Sequence, residues 1–288
     1  VDEPGAPSIP RTIPRIVHFV FGLRPQTEPF HLVHYLAFES CRRVLAPERI
    51  YLHHKWLPYG VYWDLVRPHL TLVPVGQAPE VLATHYDDRL VPEQYRYAHH
   101  ADFVRLAALV EHGGVYADLD TLFLRPFPDE LFHESFVIGE ERPVRDELTG
   151  EYHPSLCNAV LMSAPGSEFA RLWRTQMGAA LNGTWSNHSG FLARRLADEH
   201  PELVRVLPEE VFFPAPCTPA GLDAMLVQDA LAVDRSLTLH LCAHLWWRAD
   251  RADFCSVHRG TLTAEHIRSV DTTYNRLARR FVPDLELW

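Results

Sequence analysis

Two carboxylates one residue apart, Asp118 and Asp120, close the segment ADFVRLAALVEHGGVYADLD that begins at Ala101. At the end of a strand such a pair points into one small volume. That volume suits a divalent cation, because hard ions such as Mg²⁺ and Mn²⁺ take oxygen ligands. A cation held there can grip a diphosphate and neutralise the charge that develops as it leaves. An Asp-x-Asp alone is a common surface sequence, and the residues before it give this one its meaning. Asp102 and Arg105 sit three apart and share a neighbouring helical face. In an ordinary helix they would form a solvated ion pair worth little. Beside the carboxylate pair they become candidates for fixing a polar substrate through charged hydrogen bonds.

The elements that must position these groups can be read from spacing. Phe103, Leu106, Ala107 and Val110 fall at i, i+3, i+4 and i+7, which predicts a helix with one buried stripe. Gly113-Gly114 supplies a left-handed C-cap. Val115 to Ala117 then reads as a short strand that delivers Asp118 and Asp120 to its carboxyl end, where ligands bind in open α/β sheets. Upstream, Ile16 to Phe21 is a buried first strand ended by Gly22. A helix follows over His31 to Leu45, with strands at Arg49 to His54 and Thr71 to Val75. This alternation predicts an α/β fold with a mostly parallel sheet covered on both faces. Downstream, Arg125-Pro126-Phe127-Pro128 forces an extended exit. Strands are expected at Ser135 to Glu140, Ala159 to Met162, Val204 to Leu207, Val211 to Phe213 and Leu237 to Leu245. Helices are expected at Ser167 to Met177, Phe191 to His200 and within Thr263 to Arg280. Glu140 to His153 reads as a polar loop, and Asn187 to Gly190 as a turn-rich one.

Residues 1–12, with Pro4, Pro7 and Pro10, read as an extended entry, and residues 13–288 as one domain. The start at Val1 reads as a trimmed chain or a part of a longer one. At 288 residues and 47% hydrophobic, the chain can bury a large core, and no apolar run is long enough to span a membrane. The formal charge of −10 argues against nucleic acid as a partner. Lys55 is the only lysine and no Gly-Lys-Ser/Thr element occurs, which removes a phosphate-binding P-loop. The cysteines, Cys41, Cys157, Cys217, Cys242 and Cys255, are odd in number and scattered. Neither a zinc site nor a disulfide scaffold is expected; a reducing compartment is the simpler reading, with one or two disulfides left open.

The string Asp102, Arg105, Gly113-Gly114, Tyr116, Asp118 and Asp120 resembles the DXD-motif sugar-transferase region of glycosyltransferase family 32. Weaker echoes fall in the family's order at residues 13–19 (IPRIVHF), 158–161 (NAVL) and 243–246 (AHLW). The resemblance implies the GT-A nucleotide-sugar transferase fold, with residues 13–125 holding the nucleotide sugar and 126–288 forming the acceptor side. It implies that His18, Phe19 and Val20, with Asp118, line the nucleoside pocket, Phe21 being read as core. Asp102, Arg105, Tyr116 and Asn158 would bind the donor sugar. Asp118 and Asp120 would hold Mn²⁺, or Mg²⁺, with His244 as a further ligand and His240 as the competing choice. An imidazole ligand tilts the metal toward manganese. Arg105, His244 and Trp246 would face the diphosphate.

The implied reaction is retaining transfer from a nucleotide-diphosphate sugar, UDP favoured over GDP, to a glycan or other hydroxyl acceptor. Asp102, Arg105, Asp118 and Asp120 would carry it. A double displacement through Glu140, Glu141 or Asp229 stays open. Two rival readings come from other classes. One is a non-catalytic carbohydrate- or nucleotide-binding protein on the same fold. The other is a haloacid-dehalogenase-type phosphatase, which Asp118-Leu119-Asp120-Thr121 echoes without the glycine or the downstream lysine such enzymes need. The arginine-rich, lysine-poor composition favours a bacterial cytoplasmic protein, with an anchor-less Golgi-lumenal domain as the alternative.

Overall fold

The computed structural model describes residues 12–86, 96–243 and 262–284. Its first half alternates strand and helix: β1 (Ile16–Val20), α1 (Leu32–Val44), β2 (Arg49–His54), α2 (Val61–Val66), β3 (Thr71–Pro74), α3 (Pro79–Ala83), α4 (Arg96–His112) and β4 (Gly114–Ala117). The second half adds β5 (Thr121–Phe123), β6 (Phe136–Arg145), β7 (Tyr152–Ser163), α5 (Glu168–Ala180), α6 (Leu192–Glu199), β8 (Arg205–Leu207), α7 (Glu209–Phe212), α8 (Pro219–Leu226) and β9 (Thr238–His240). Seven strands form one sheet in the order β3-β2-β1-β4-β7-β6-β8, while β5 and β9 pair in a separate ribbon. β3, β2, β1 and β4 run parallel. β7 is antiparallel to both β4 and β6, and β8 returns parallel to β6. The mostly parallel α/β sheet expected from the alternation is present.

The sheet is buried on both faces because its strands carry apolar residues at both parities. Phe19, Leu36, Leu52 and Phe123 belong to one core cluster, and Leu106, Tyr116, Phe136 and Trp173 to the other. Helix α4 departs from the expected stripe. Ala107 faces solvent, while Asp102 and Arg105 are as buried as Phe103 and Leu106. Two charged residues thus occupy positions that an amphipathic pattern would give to apolar ones. Gly113 and Gly114 both adopt positive φ, 64° and 99°, as the expected cap requires.

Two further expectations are corrected. Residues 140–153 are not a loop, since β6 and β7 extend through them as a hairpin. Its sequence reads as polar because the projecting end of the hairpin is largely exposed. Asp146 Oδ1 closes its turn by accepting from the amides of Leu148 and Thr149 at 2.7 and 2.9 Å. Val211 to Phe213 is not a strand; the apolar run is mostly helix α7, a confusion that short apolar stretches invite. One of the disulfides that the sequence leaves open does form. Cys217 and Cys242 form a disulfide with Cα atoms 5.8 Å apart, while Cys41 and Cys157 are buried thiols. A bridge between residues brought together only by the tertiary fold leaves no local spacing to read.

Candidate active site

Strand β4 ends at Ala117, and the chain then turns, with the Asp118 amide donating to Ala159 O on β7 at 2.8 Å and the Thr121 amide to Asp118 O at 3.0 Å. This turn sets both carboxylates at the carboxyl end of the sheet. The β5–β9 ribbon brings the third group, pairing Thr121 with His240. His240 Nε2 lies 3.2 Å from Asp120 Oδ1 and 3.8 Å from Asp118 Oδ2. The Leu241 amide donates to Asp120 O, and the Ala243 amide to Asp120 Oδ2 at 2.8 Å, so the ribbon fastens Asp120 twice. Possible ligand atoms of Asp118, Asp120 and His240 all lie within 4.8 Å of one another. Two carboxylates and one imidazole fit a divalent cation with mixed oxygen and nitrogen preference, as Mn²⁺ has.

Electrostatics agree with that donor set. Burial pushes the Asp118 carboxyl up against the opposing pull of Arg105 and His240. At Asp120 burial acts the same way but is outweighed by His240 and the Ala243 amide, which take its carboxyl below the usual range. Burial alone would lower His240, yet Asp120 and Asp118 raise it above the ordinary imidazole value.

A second group of side chains adjoins the first. Arg105 Nη2 lies 3.0 Å from Asp102 Oδ1 and 3.3 Å from Asp118 Oδ1, so one guanidinium ties helix α4 to the carboxylate turn. Its Nη1 donates to Asn158 O at 2.6 Å, and its Cζ sits 4.4 Å over the Tyr116 ring. The Tyr116 hydroxyl donates to Asp118 Oδ1 at 2.5 Å. Asn158 Nδ2 donates to Asp102 Oδ1 at 2.8 Å. Burial disfavours the charged form of Asp102, but Arg105 and His188 hold its carboxyl below the ordinary value, and it stays ionised. His188 Nε2, 2.8 Å from Asp102 Oδ2, therefore carries the proton of that bond.

The structure brings Asp102, Arg105, Tyr116, Asn158, Asp118 and Asp120 together along one cavity of about 680 Å³. It does not bring His18 and Phe19 there. His18 is fully buried behind the site, its ring nitrogens engaged by His53 Nε2 at 3.0 Å and Gly113 O at 2.9 Å. Phe19 packs in the core cluster that also holds Leu36 of α1. Ligands meet the carboxyl ends of strands, and β1 ends at Val20, so of the three β1 residues named Val20 lines the cavity, followed by Phe21. Phe21, expected in the core, packs against Phe30 and His34 at the cavity wall. His244 and Trp246 lie outside the described residues.

His34, which lines the cavity, and His188, buried behind Asp102, are residues that sequence reading passes over. His34 is tied to the carboxylate turn, its Nδ1 2.9 Å from Leu119 O. Of the carboxylates left open for double displacement, Glu140 pairs with Arg194 and Asp229 with Arg276. Glu141 alone of the three lines the cavity, accepting a hydrogen bond from Ser155 Oγ at 2.6 Å.

Residues 77–137 match the model of a family described as the glycosyltransferase sugar-binding region containing the DXD motif. Glucan organizing enzyme 1 of Cryptococcus neoformans var. grubii is 32% identical over 280 residues, which cover 94% of this chain and 71% of that protein. Among solved structures, the chain is similar to the PaToxG glycosyltransferase, with 12% identity, 93% and 87% of the two chains covered, and a TM-score of 0.42. It is similar also to the apo form of GlyE from Streptococcus pneumoniae TIGR4, with 13% identity, 85% and 62% covered, and a TM-score of 0.45.

Sheet, site and sequence kinship define an enzyme of the glycosyltransferase class, which acts on a sugar donor and an acceptor. Within that class the chain belongs to the glycosyltransferases whose sugar-binding region contains the DXD motif.

Proposed function

We propose that the chain transfers a sugar, with retention, from a nucleotide-diphosphate sugar to a hydroxyl acceptor, with a divalent cation held by Asp118, Asp120 and His240. The convergence of these three side chains, two from the turn after β4 and one from β9, carries the reading. When bound, Mn²⁺ supplies charge that neutralises the departing diphosphate. Val20 and Phe21 bound the nucleoside side, with UDP favoured. Asp102, held by His188, Asn158 and Arg105, accepts hydrogen bonds from donor-sugar hydroxyls. Arg105 holds Asp102 and Asp118 in one frame and places a fixed positive charge beside the leaving group, a preorganised arrangement that needs no rearrangement during reaction. The acceptor hydroxyl attacks the anomeric carbon on the face the diphosphate leaves, and its proton passes to the departing phosphate oxygen. A double displacement would fall to Glu141.

The relative's name ties it to glucan, which favours a glycan among possible acceptors. The Cys217–Cys242 bridge suits an oxidising compartment and so favours the Golgi lumen over the bacterial cytoplasm. No helix among the described residues is long and apolar enough to cross a membrane.

The test is release of UDP or GDP from a panel of sugar nucleotides, with Mn²⁺ and with chelator, for the wild type and Asp120→Asn. Slow hydrolysis of one donor that stops with chelator is expected, and the variant should lose on the order of 10²-fold or more. Metal-independent release, or an unchanged variant, would remove the metal from the reaction.

A further inference from the structure

His240 presents its two ring nitrogens to two different donor sets. Nε2 faces the carboxylates of Asp120 and Asp118. Nδ1 faces the other way, 3.7 Å from Cys242 Sγ. Cys217, His240 and Cys242 form a second group whose possible ligand atoms all lie within 4.8 Å of one another. The sulfur–nitrogen spacing matches what a tetrahedral zinc needs, since bonds of about 2.3 Å to sulfur and 2.0 Å to nitrogen leave those atoms about 3.5 Å apart. Cys242 is buried and holds a positive φ of 50°, uncommon for a residue with a side chain. Cys217 lines the cavity, so a small thiol can reach the bridge from there.

We propose that Cys217, Cys242 and His240 Nδ1 form a redox-gated soft-metal site, which takes Zn²⁺ when the disulfide is reduced. In the oxidised chain the sulfurs are bonded to each other and offer no thiolate. A dithiol reductant breaks that bond, becoming a cyclic disulfide as both cysteines become thiols. Zn²⁺ then binds both as thiolates, with release of two protons, and takes the imidazole through Nδ1. A neutral ring ligated at Nδ1 keeps its proton on Nε2, which then donates to Asp120 and cannot hold a second metal. Thiol chemistry would therefore decide which metal His240 serves, thiolates selecting zinc and carboxylates manganese. The exclusion of manganese, though not the zinc site itself, rests on the Asp118–Asp120–His240 reading above.

The experiment uses Co²⁺ and Zn²⁺ on the full chain, with the dithiol-treated and untreated protein compared by metal content and by the thiolate-to-cobalt absorption band. Bound Mn²⁺ is followed by its electron paramagnetic resonance. Expected is one equivalent of metal bound through thiolate only after reduction, the thiolate-to-cobalt band appearing then and not before, in addition to what the carboxylate site takes in either state. The reduced Cys217→Ser and Cys242→Ser chains should each bind at least about 100-fold more weakly. Both variants retain Cys41, Cys157 and Cys255 and so control for those cysteines. Zinc should displace Mn²⁺ from reduced protein at a lower concentration than from oxidised protein, where it must compete directly at the carboxylate site. Equal zinc binding by reduced wild type and either variant, or a cobalt complex without the thiolate band, would overturn the site. Mn²⁺ that fails to bind even the oxidised chain would instead sink the carboxylate reading and leave the zinc result standing by itself.

Discussion

Arg105 is the residue on which the site's parts converge, and its chemistry is not that of a general cation. Its guanidinium reaches Asp102, Asp118 and Asn158 O at once, with a face on Tyr116. A lysine ammonium keeps the charge but has no planar fork to reach several partners in fixed directions. Arg105→Lys is therefore expected to cut turnover by roughly 10²- to 10³-fold while changing the affinity for the bare nucleotide diphosphate by no more than about threefold. Steady-state kinetics and a binding titration read the two quantities separately. Equal losses in both would reduce Arg105 to a structural clamp. His188 works at one remove from the same chemistry, since Trp173 Nε1 fixes its carbonyl at 3.1 Å while its ring holds Asp102.

At the scale of elements, the join between α4 and β4 matters most, because it aims the carboxylates. Gly114 has φ 99°, and a Cβ there would come within 2.7 Å of Ile16 O on the neighbouring strand. Gly114→Ala should cost about 2–4 kcal/mol, from the strained backbone and the forced contact together. Gly76, with open space around it, should tolerate alanine within about 0.5 kcal/mol. Urea midpoints of the two variants check both figures, and similar losses would contradict the steric argument. This join is also the part most readable from sequence, because helix periodicity, glycine cap, strand and carboxylates follow one another without a break. β1, α1 and β2 are readable for the same local reason. His188 is not, as it meets Asp102 across 86 positions, from a short π-helical segment, Asn187–Phe191, with no signature of its own. The cavity role of His240 stands only as the rival of His244, because it depends on the pairing of two three-residue strands.

For the whole molecule, acid sensitivity should begin well above the carboxylate range. Burial holds His18 at about 3, helped by the neighbouring charge of His53. Burial also holds His53 at about 4, helped by His112, and His99 at about 3, helped by His188. These rings stay neutral when folded but take up protons when unfolded below pH about 6.5. The unfolded state then binds more protons, so stability is full above that pH and falls as the pH drops toward the folded values. Each ring contributes at most about 2 kcal/mol of loss by pH 5. Denaturant midpoints that stay level from pH 7.5 to 5 would contradict this. The β5–β9 ribbon has a consequence of another kind. It joins Asp120 to a ligand 120 positions later in the chain, so closing that loop costs about 4 kcal/mol of chain entropy before any contact repays it. During synthesis the first half can emerge and build its parallel strands while the cation site stays incomplete. Metal capture would then mark the completion of folding, and a nascent chain stopped before residue 238 would hold the DXD turn with nothing to close it.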